Sequence, residues 1–300
     1  MIRLSWKLLF SIVLVFGIMG CSSGEPKLPG KIVARNWVGK IRPVVYDRGR
    51  IAKFDVKCTG PSWSPDGKSF GCVNNGQLVM ISYPGEKILE RIEFPREISA
   101  VRFMIGSSKV VYSNSLDSEV MNNLYIYDLE TKEDRQVTFF EDFRANTAAF
   151  YVSPDGKKVM FERTGRYAAD SDGKQVRLPE LVYLQDLETG ELSELFEGGD
   201  LAVSRDWTQL VYTAKKMGDQ EFESLKFIVR DMRTGEERAL PHPASFRFDP
   251  TFSPDGEWIA YTESGAGFDK HLVAVRTDGS GEKHILIGAG HSIGSPDWGS

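Results

Sequence analysis

The stretch at residues 250–261, Pro-Thr-Phe-Ser-Pro-Asp-Gly-Glu-Trp-Ile-Ala-Tyr, decides the fold. It reads as an apolar strand, a tight turn at Ser253-Pro254-Asp255-Gly256, and a second apolar strand. Proline presets the φ angle that the second turn position needs, aspartate bonds back to the local backbone, and glycine supplies a positive φ. The stretch therefore predicts a β-hairpin.

The same pattern recurs along the whole chain. Clear copies occupy residues 61–72 and 150–161, and degenerate copies occupy 101–112, 201–213 and 296–299. We align the copies on the bulky residue before the turn, and these anchors are 40 to 51 residues apart. The anchors are Trp63, Phe103, Val152, Val203, Phe252 and Trp298. Such a period is close to the roughly 40–45 residues of a four-stranded propeller blade.

Each interval between anchors also holds a second hairpin. Residues 183–190, Tyr-Leu-Gln-Asp-Leu-Glu-Thr-Gly, show the alternation and the Thr-Gly turn that indicate paired strands. Four short strands per repeat predict an all-β protein, a β-propeller of four-stranded blades. Strand-like runs within 31–57 are predicted to pair with 296–299 in a composite sixth blade, which leaves no open sheet edge. A five-bladed ring with a loose N-terminal hairpin is the alternative.

Composition limits the class of protein. The 300 residues are 26% charged and 41% hydrophobic, with 29 Gly and 14 Pro, which is typical of a soluble, turn-rich body. The formal net charge of −5 and the absence of a basic stripe argue against nucleic acid as a partner.

The N-terminus reads as a targeting segment. Arg3 and Lys7 precede an apolar run at 8–18, which is short for a membrane-spanning helix and suits the core of a signal peptide. The run ends at Ile18-Met19-Gly20-Cys21, which resembles a bacterial lipobox, so Cys21 is the predicted lipidation site. The alternative is an ordinary cleaved signal with a cysteine nearby by chance.

These features divide the chain into a lipoprotein signal peptide at 1–20, a lipidated tether at 21–30 and the propeller at 31–300. We expect an extracytoplasmic protein that is lipid-anchored to the cell envelope, on the periplasmic face of the outer membrane or the outer face of the cytoplasmic membrane. Cys58 and Cys72 flank the first turn and would lie in an oxidising compartment, either as a disulfide or as two buried thiols.

The repeat resembles a known family. The pattern at 250–261, together with the hairpin at 183–190, is similar to the WD-like repeat of TolB-type β-propellers over about residues 58–300. TolB proteins carry an α/β domain ahead of the propeller and are soluble in the periplasm. Because this sequence leaves no room for that domain and carries a lipobox-like segment, the resemblance implies the propeller fold and not the role in the Tol–Pal system.

No residue pattern predicts catalysis, a metal site or a cofactor. Residues 290–294, Gly-His-Ser-Ile-Gly, match a nucleophile-elbow string, but no histidine follows to complete a triad. Residues 170–173, Asp-Ser-Asp-Gly, lack the later ligands of a calcium loop and read as a polar surface loop. Asp66, Asp155 and Asp255 are interpreted as turn-formers. Five tryptophans are expected to pack between blades, with at most one serving as a sugar-stacking platform: Trp37, Trp63, Trp207, Trp258 and Trp298.

The loops between the second and third strands are long in three consecutive blades, at 113–123, 164–175 and 214–224, and all lie on one face of a propeller. Long loops on a rigid scaffold often carry binding residues, although tolerated insertions are the alternative. The candidate binding residues are Asp117, Glu119, Arg166, Tyr167, Asp170, Asp172, Lys215, Lys216 and Phe222.

We therefore predict a non-catalytic scaffold that binds another envelope protein or a cell-wall component. One alternative is a propeller lyase or glycosidase acting on a polysaccharide, which would need histidine, arginine, tyrosine or carboxylate groups converging on the central channel. Another is a non-catalytic ligand sensor or carbohydrate-binding module.

Overall fold

The computed structural model describes residues 27–114, 122–141, 145–169, 171–213, 226–241, 247–267 and 269–300. Every regular element in these ranges is a β-strand. Within them, no helix is long and apolar enough to cross a membrane.

The strands form six four-stranded antiparallel sheets, which are the six blades of a propeller. Blade 1 contains β1 (Lys31–Asn36), β2 (Arg42–Asp47) and β3 (Arg50–Lys53). Blade 2 contains β4 (Thr59–Trp63), β5 (Ser69–Asn74), β6 (Gln77–Ser82) and β7 (Ile88–Ile92). Blade 3 contains β8 (Ile98–Phe103), β9 (Lys109–Asn114), β10 (Leu124–Asp128) and β11 (Asp134–Gln136).

Blade 4 contains β12 (Asn146–Val152), β13 (Lys158–Thr164), β16 (Leu181–Asp186) and β17 (Leu192–Glu197), with a separate hairpin of β14 (Tyr167–Ala169) and β15 (Gln175–Arg177) inserted in it. Blade 5 contains β18 (Gly199–Val203), β19 (Gln209–Thr213), β20 (Phe227–Asp231) and β21 (Glu237–Ala239). Blade 6 contains β22 (Arg247–Phe252), β23 (Trp258–Ser264), β24 (Lys270–Arg276) and β25 (Lys283–Ile287), and β26 (Ile293–Gly299) then returns to blade 1.

The closing blade is composite, as predicted. The C-terminal strand β26 pairs antiparallel with β1, with Lys31 opposite Gly299 and Ile32 opposite Trp298. The sheet order β26-β1-β2-β3 places the C-terminal strand innermost, so the ring has six blades and the five-bladed alternative is wrong.

The antiparallel order gives the ring two different faces. The innermost strand of each blade starts at the face that carries the connections between second and third strands, which we call the loop face. It ends at the opposite face, which carries the Ser-Pro-Asp-Gly turns and which we call the turn face. The long loops and the starts of the innermost strands therefore share one face.

The turns form as the sequence predicts. In blade 4 the carboxylate of Asp155 accepts hydrogen bonds from the Ser153 hydroxyl (2.6 Å) and the Lys157 amide (3.0 Å), and Gly156 has a φ of 70°. In blade 5 Trp207 occupies the glycine position with a φ of 58°. Its indole Nε1 donates to the Val152 carbonyl at 3.0 Å, which holds this unusual residue against blade 4.

The core lies between neighbouring blades. Trp298 and Trp258 belong to one buried cluster that joins blades 1 and 6, and Trp63 belongs to another that joins blades 1 and 2. Cys58 and Cys72, both buried in that second cluster, form a disulfide with their Cα atoms 5.6 Å apart. Of the two states left open by the sequence, the structure has the disulfide.

Candidate binding site in the central channel

The innermost strands carry a ring of bulges at the loop-face end of the channel. Three residues before the anchor, Ala149, Asp200, Asp249 and Ser295 have φ values of 44°, 52°, 53° and 48°, and blade 2 has Gly60 at this place. Residues other than glycine seldom adopt positive φ, and the register of each strand pair shifts at this point. The bulges concentrate backbone strain around the mouth of the channel, where such strain often accompanies function.

Two cavities occupy the channel. The upper cavity, about 620 Å³, lies among the strand starts and includes Gly60, Asp200 and Asp249 in its wall. The lower cavity, about 150 Å³, lies among the strand ends toward the turn face. Arg102 and Tyr151 line both cavities, so these two side chains form the partition between them.

The partition rests on an ion pair that spans the ring. Arg102 Nη1 on blade 3 lies 3.1 Å from Asp297 Oδ1 on blade 1, and Asp297 Oδ2 accepts the Trp63 amide of blade 2 at 2.7 Å. The Arg102 guanidinium also lies 5.6 Å from the centre of the Tyr151 ring on blade 4. Four blades therefore meet at one charged centre.

Burial and charge shift the pKa values at this centre. Burial disfavours the charged form of Arg102, but the attraction of Asp297 and the contact with Tyr151 outweigh it and raise the pKa of the guanidinium. Burial, assisted by Asp297 and Asp249 and opposed by Arg102, raises the pKa of Tyr151 to about 12. At neutral pH Arg102 is therefore charged and Tyr151 keeps its phenolic proton.

A second contact closes the turn-face end. Arg205, in the turn of blade 5, reaches across the ring to blade 2, where its Nη2 donates to the Pro65 carbonyl at 3.4 Å. The same guanidinium donates to the Ser300 hydroxyl after the closing strand. Arg205 therefore links blade 2, blade 5 and the chain end at the turn face, beyond the residues that line the upper cavity.

The carboxylates at the rim support the bulged backbone. Asp249 Oδ2 accepts the Ser295 amide at 2.9 Å, and Asp200 Oδ2 accepts the Thr213 hydroxyl at 3.0 Å. Glu162, from the second strand of blade 4, accepts the Leu201 amide at 3.2 Å. Each group thus links neighbouring strands or blades while adding negative charge to the cavity wall.

A buried polar network stands behind the wall between blades 3 and 4. Arg163, fully buried, donates from Nη1 to the Asn122 carbonyl (2.7 Å) and the Thr147 hydroxyl (2.8 Å). Asn122 is also fully buried and its side chain accepts the Thr147 amide at 2.6 Å. The end of the first long loop is therefore fixed to the next blade.

The structure places three predicted binding residues on the inserted hairpin. Arg166 and Tyr167 begin it and Asp172 lies in its turn, so the segment predicted as a loop contains paired strands. Tyr167 is 51% exposed. The other predicted site residues, Cys21, Asp117, Glu119, Asp170, Lys215, Lys216 and Phe222, lie outside the described residues.

Other apolar groups share the loop face with this hairpin. Phe139, just after blade 3, is 74% exposed, and Val38 in the blade 1 loop is also exposed. Trp37 lies on the same face, but Arg35 (3.9 Å from the ring centre) and Lys270 (5.4 Å) already contact its ring. These contacts do not leave Trp37 an open sugar-stacking platform.

Sequence reasoning missed the residues in the channel. Arg102, Tyr151 and Asp297 each precede an anchor by one residue, and Asp200 and Asp249 precede one by three. Side chains alternate along a strand, and the anchor side chain points between blades. Residues one and three positions before an anchor therefore point away from the blade interface. Charged residues at these positions were the sequence signal for the channel. Within the described ranges no group of three or more His, Cys, Asp or Glu side chains could hold a metal ion.

The fold defined by these strands is a six-bladed β-propeller, and it is TolB-like. It is similar to TolB from Acinetobacter baumannii, with a TM-score of 0.70 and 17% identity over 91% of this chain and 67% of that one. It is also similar to a putative TolB from Agrobacterium tumefaciens, with a TM-score of 0.61 and 14% identity over 86% and 88% of the two chains.

An oligogalacturonate lyase in complex with manganese shares the architecture at a TM-score of 0.52 and 11% identity, over 82% of this chain and 85% of that one. The sequence matches no family model and no curated protein. At these identities the similarity establishes the fold alone.

Proposed function

We propose that this chain is an extracytoplasmic, lipid-anchored β-propeller that binds another envelope protein or a cell-wall component through its loop face and catalyses no reaction. The observation that carries the proposal is the β14–β15 hairpin. Among the described strands it pairs only with itself, with Tyr167 opposite Arg177 and Ala168 opposite Val176, and every residue of its two strands is exposed.

An exposed two-stranded hairpin is energetically unfavourable on the surface of a monomer. Such a hairpin is marginally stable without further packing, and its free edges and apolar side chains invite association. Tyr167 and Phe139 are among the most exposed large apolar side chains described, and both lie on this face. Exposed aromatic groups beside free strand edges are the usual elements of a protein-binding surface.

The path of the chain orients the propeller. Leu28 packs against the cluster between blades 1 and 6, and the Pro29 carbonyl accepts the Trp298 indole at 2.6 Å, near the turn face. Cys21 lies six positions before Lys27, a span of at most about 20 Å. A lipid on Cys21 therefore holds the turn face toward the membrane and leaves the loop face directed away from it.

The channel chemistry supports a binding role over catalysis. A general base needs a pKa near the working pH, and the pKa of Tyr151 is raised to about 12. The carboxylates of Asp249, Glu162 and Asp297 accept backbone amides of neighbouring blades, so these groups hold the ring together.

The rival is a lyase or glycosidase acting on an acidic polysaccharide, and the convergence of Arg102, Tyr151 and Asp297 on the channel favours it. Incubation of the purified full chain with polygalacturonate and alginate, followed by reducing-end and unsaturated-product assays, separates the two. We expect no product. Product formation that Tyr151→Phe abolishes would establish the enzyme.

Site-specific photo-crosslinking in intact cells tests the binding face. A benzoylphenylalanine residue replaces Tyr167 or Phe139 on the loop face, and Ile105, an exposed turn-face residue, is the matched control. We expect one discrete adduct from both loop-face positions and none from Ile105. Identical adducts from both faces, or adducts from Ile105 alone, would contradict the proposed binding face.

A further inference from the structure

We propose that the upper cavity binds a zwitterionic ligand, an amino acid or short peptide with a free carboxylate and a free ammonium group. In this arrangement Arg102 and Tyr151 receive the carboxylate on the cavity floor, and the rim carboxylates receive the ammonium group. This site goes beyond the proposed docking role, because it requires neither a partner protein nor the exposed hairpin.

The floor offers donors for a carboxylate. A guanidinium carries five N–H donors, and the ion pair with Asp297 engages Nη1. The Arg102 side chain is still 25% exposed, and it lines both cavities, so part of the guanidinium faces the channel. Tyr151 lies beside it as a protonated phenol, a second donor in the same partition. Arginine with a neighbouring hydroxyl is a strong recognition pair for carboxylates.

The rim selects against a simple anion. Among the described residues that line the upper cavity, Glu162, Asp200 and Asp249 are acidic and Arg102 is basic, so carboxylates outnumber cations in the lining. Arg35, outside this lining, is close enough to Asp249 to interact with it electrostatically. Asp249 accepts the Ser295 amide through Oδ2, which leaves further lone pairs on the carboxylate for an ammonium donor. A ligand that carries both charges satisfies the floor and the rim together, whereas a bare carboxylate meets only repulsion at the entrance.

The dimensions fit a short peptide. Asp249 lies three residues and Arg102 one residue before their anchors, a difference of two strand residues or about 7 Å along the channel. A tripeptide in extended form spans about 10 Å, enough to reach from floor to rim. The cavity of about 620 Å³ lies within the usual range for sites of small organic ligands. Pro61, Pro250 and Pro296, each two residues before an anchor, form uncharged wall between the two charged levels.

Calorimetric titration of the full chain with four probes tests this site. The probes are tri-alanine, N-acetyl-tri-alanine, tri-alanine amide and free alanine. We expect tri-alanine to bind, and removal of either terminal charge to weaken binding by about tenfold or more. Weaker binding of free alanine identifies the ligand as a peptide, and equal binding identifies it as an amino acid. No binding by any probe, or equal binding of the amide and the free acid, would overturn the proposal.

Variants separate recognition from folding. Tyr151→Phe removes one hydroxyl without changing the packing of the ring, and we expect tri-alanine to bind several-fold more weakly while the amide is unaffected. Arg102→Gln combined with Asp297→Asn removes both charges of the ion pair together. Arg205→Ala, beyond the partition, is the matched control and should leave affinity unchanged. Wild-type affinity in a folded Tyr151→Phe protein would refute the role of the floor even if the double variant fails to fold.

Discussion

Arg102 and Asp297 form an ion pair across the central channel, with Nη1 3.1 Å from Oδ1. Arg102 lies on the innermost strand of blade 3 and Asp297 on the C-terminal strand that closes blade 1. Since Asp297 also accepts the Trp63 amide of blade 2, one carboxylate joins the closure of the ring to the partition of its channel.

Removal of one partner from this ion pair should destabilise the protein strongly. Both side chains are mostly buried, at 25% and 19% exposure, so Arg102→Gln leaves an unpaired carboxylate in the channel. We expect a loss of about 3 kcal/mol in the free energy of unfolding, measured by denaturant titration. The exposed pair of Lys157 and Glu188 is the control, and Lys157→Gln should lower the free energy of unfolding far less, because solvent screens an exposed ion pair. If Arg102→Gln and Lys157→Gln lowered the free energy of unfolding equally, burial of the channel ion pair would have no effect on stability.

The disulfide between Cys58 and Cys72 should stabilise the ring. It closes a short loop, with a sequence separation of 14. Replacement of both cysteines by alanine should lower the free energy of unfolding by about 2–4 kcal/mol. Reductant should lower the melting temperature of the wild-type protein and have no effect on the double variant. Insensitivity of the wild-type protein to a reductant that is shown to cleave the bond would contradict this.

Gly299, in the closing strand β26, has no room for a side chain because Trp63 packs against it. A Cβ atom there would lie 2.5 Å from Trp63 Cγ, closer than real contacts allow. We expect Gly299→Ala to destabilise the protein by about 1–3 kcal/mol, because the indole and the closing strand must separate. Gly288→Ala is the control, since its Cβ would meet only Ile285 at 3.7 Å. Thermal melts of both variants check the difference, and a neutral Gly299→Ala would mean that the closure is loosely packed.

Acid should weaken the second hairpins of the blades. Turn amides bond to the carboxylates of Asp128, Asp186 and Asp231, and these hydrogen bonds lower the pKa of each group below its ordinary value of 3.8. A pKa that is lower in the folded state gives stability that is fully present above the ordinary value and is lost as the pH falls through the folded value. Stability should therefore decline below about pH 4.

Denaturant titrations between neutral and acidic pH test this dependence. The triple variant Asp128→Asn, Asp186→Asn, Asp231→Asn should be less stable at neutral pH and show a flatter decline below pH 4, because asparagine does not titrate. Glu130→Gln, an exposed substitution in the first of these turns, is the control. An unchanged acid profile in the triple variant would place the acid sensitivity elsewhere.

Lipidation predicts a change in cellular distribution. Cys21→Ser should abolish metabolic labelling by an alkynyl fatty acid and release the protein from the membrane fraction. The Cys58→Ala, Cys72→Ala protein should keep both the label and the membrane association. Labelling that survives Cys21→Ser would show that the lipobox interpretation is wrong.

The sequence was sufficient for the blades because their determinants are local. The Ser-Pro-Asp-Gly turns at Asp66, Asp155 and Asp255 depend on hydrogen bonds and φ angles within five residues, and the structure has them as predicted. The repeat spacing left five or six blades open, and strand-like runs at both chain ends predicted the composite sixth blade that the structure has. The hairpin at 167–177, most of which falls in the segment predicted as a loop, was missed because its strands are only three residues long.

The residues that line the channel could not be predicted from local sequence patterns. Trp63 and Asp297 are 234 residues apart, and Arg205 and Pro65 are 140 apart, so no local pattern relates them. Each charged residue is ordinary on its own strand, and it becomes part of a partition only when six strands converge on one axis. The sequence by itself determined the repeating unit and its turns, because these depend on near neighbours. Closure of the ring decided which side chains share the channel, because only closure brings distant strands within reach of one another.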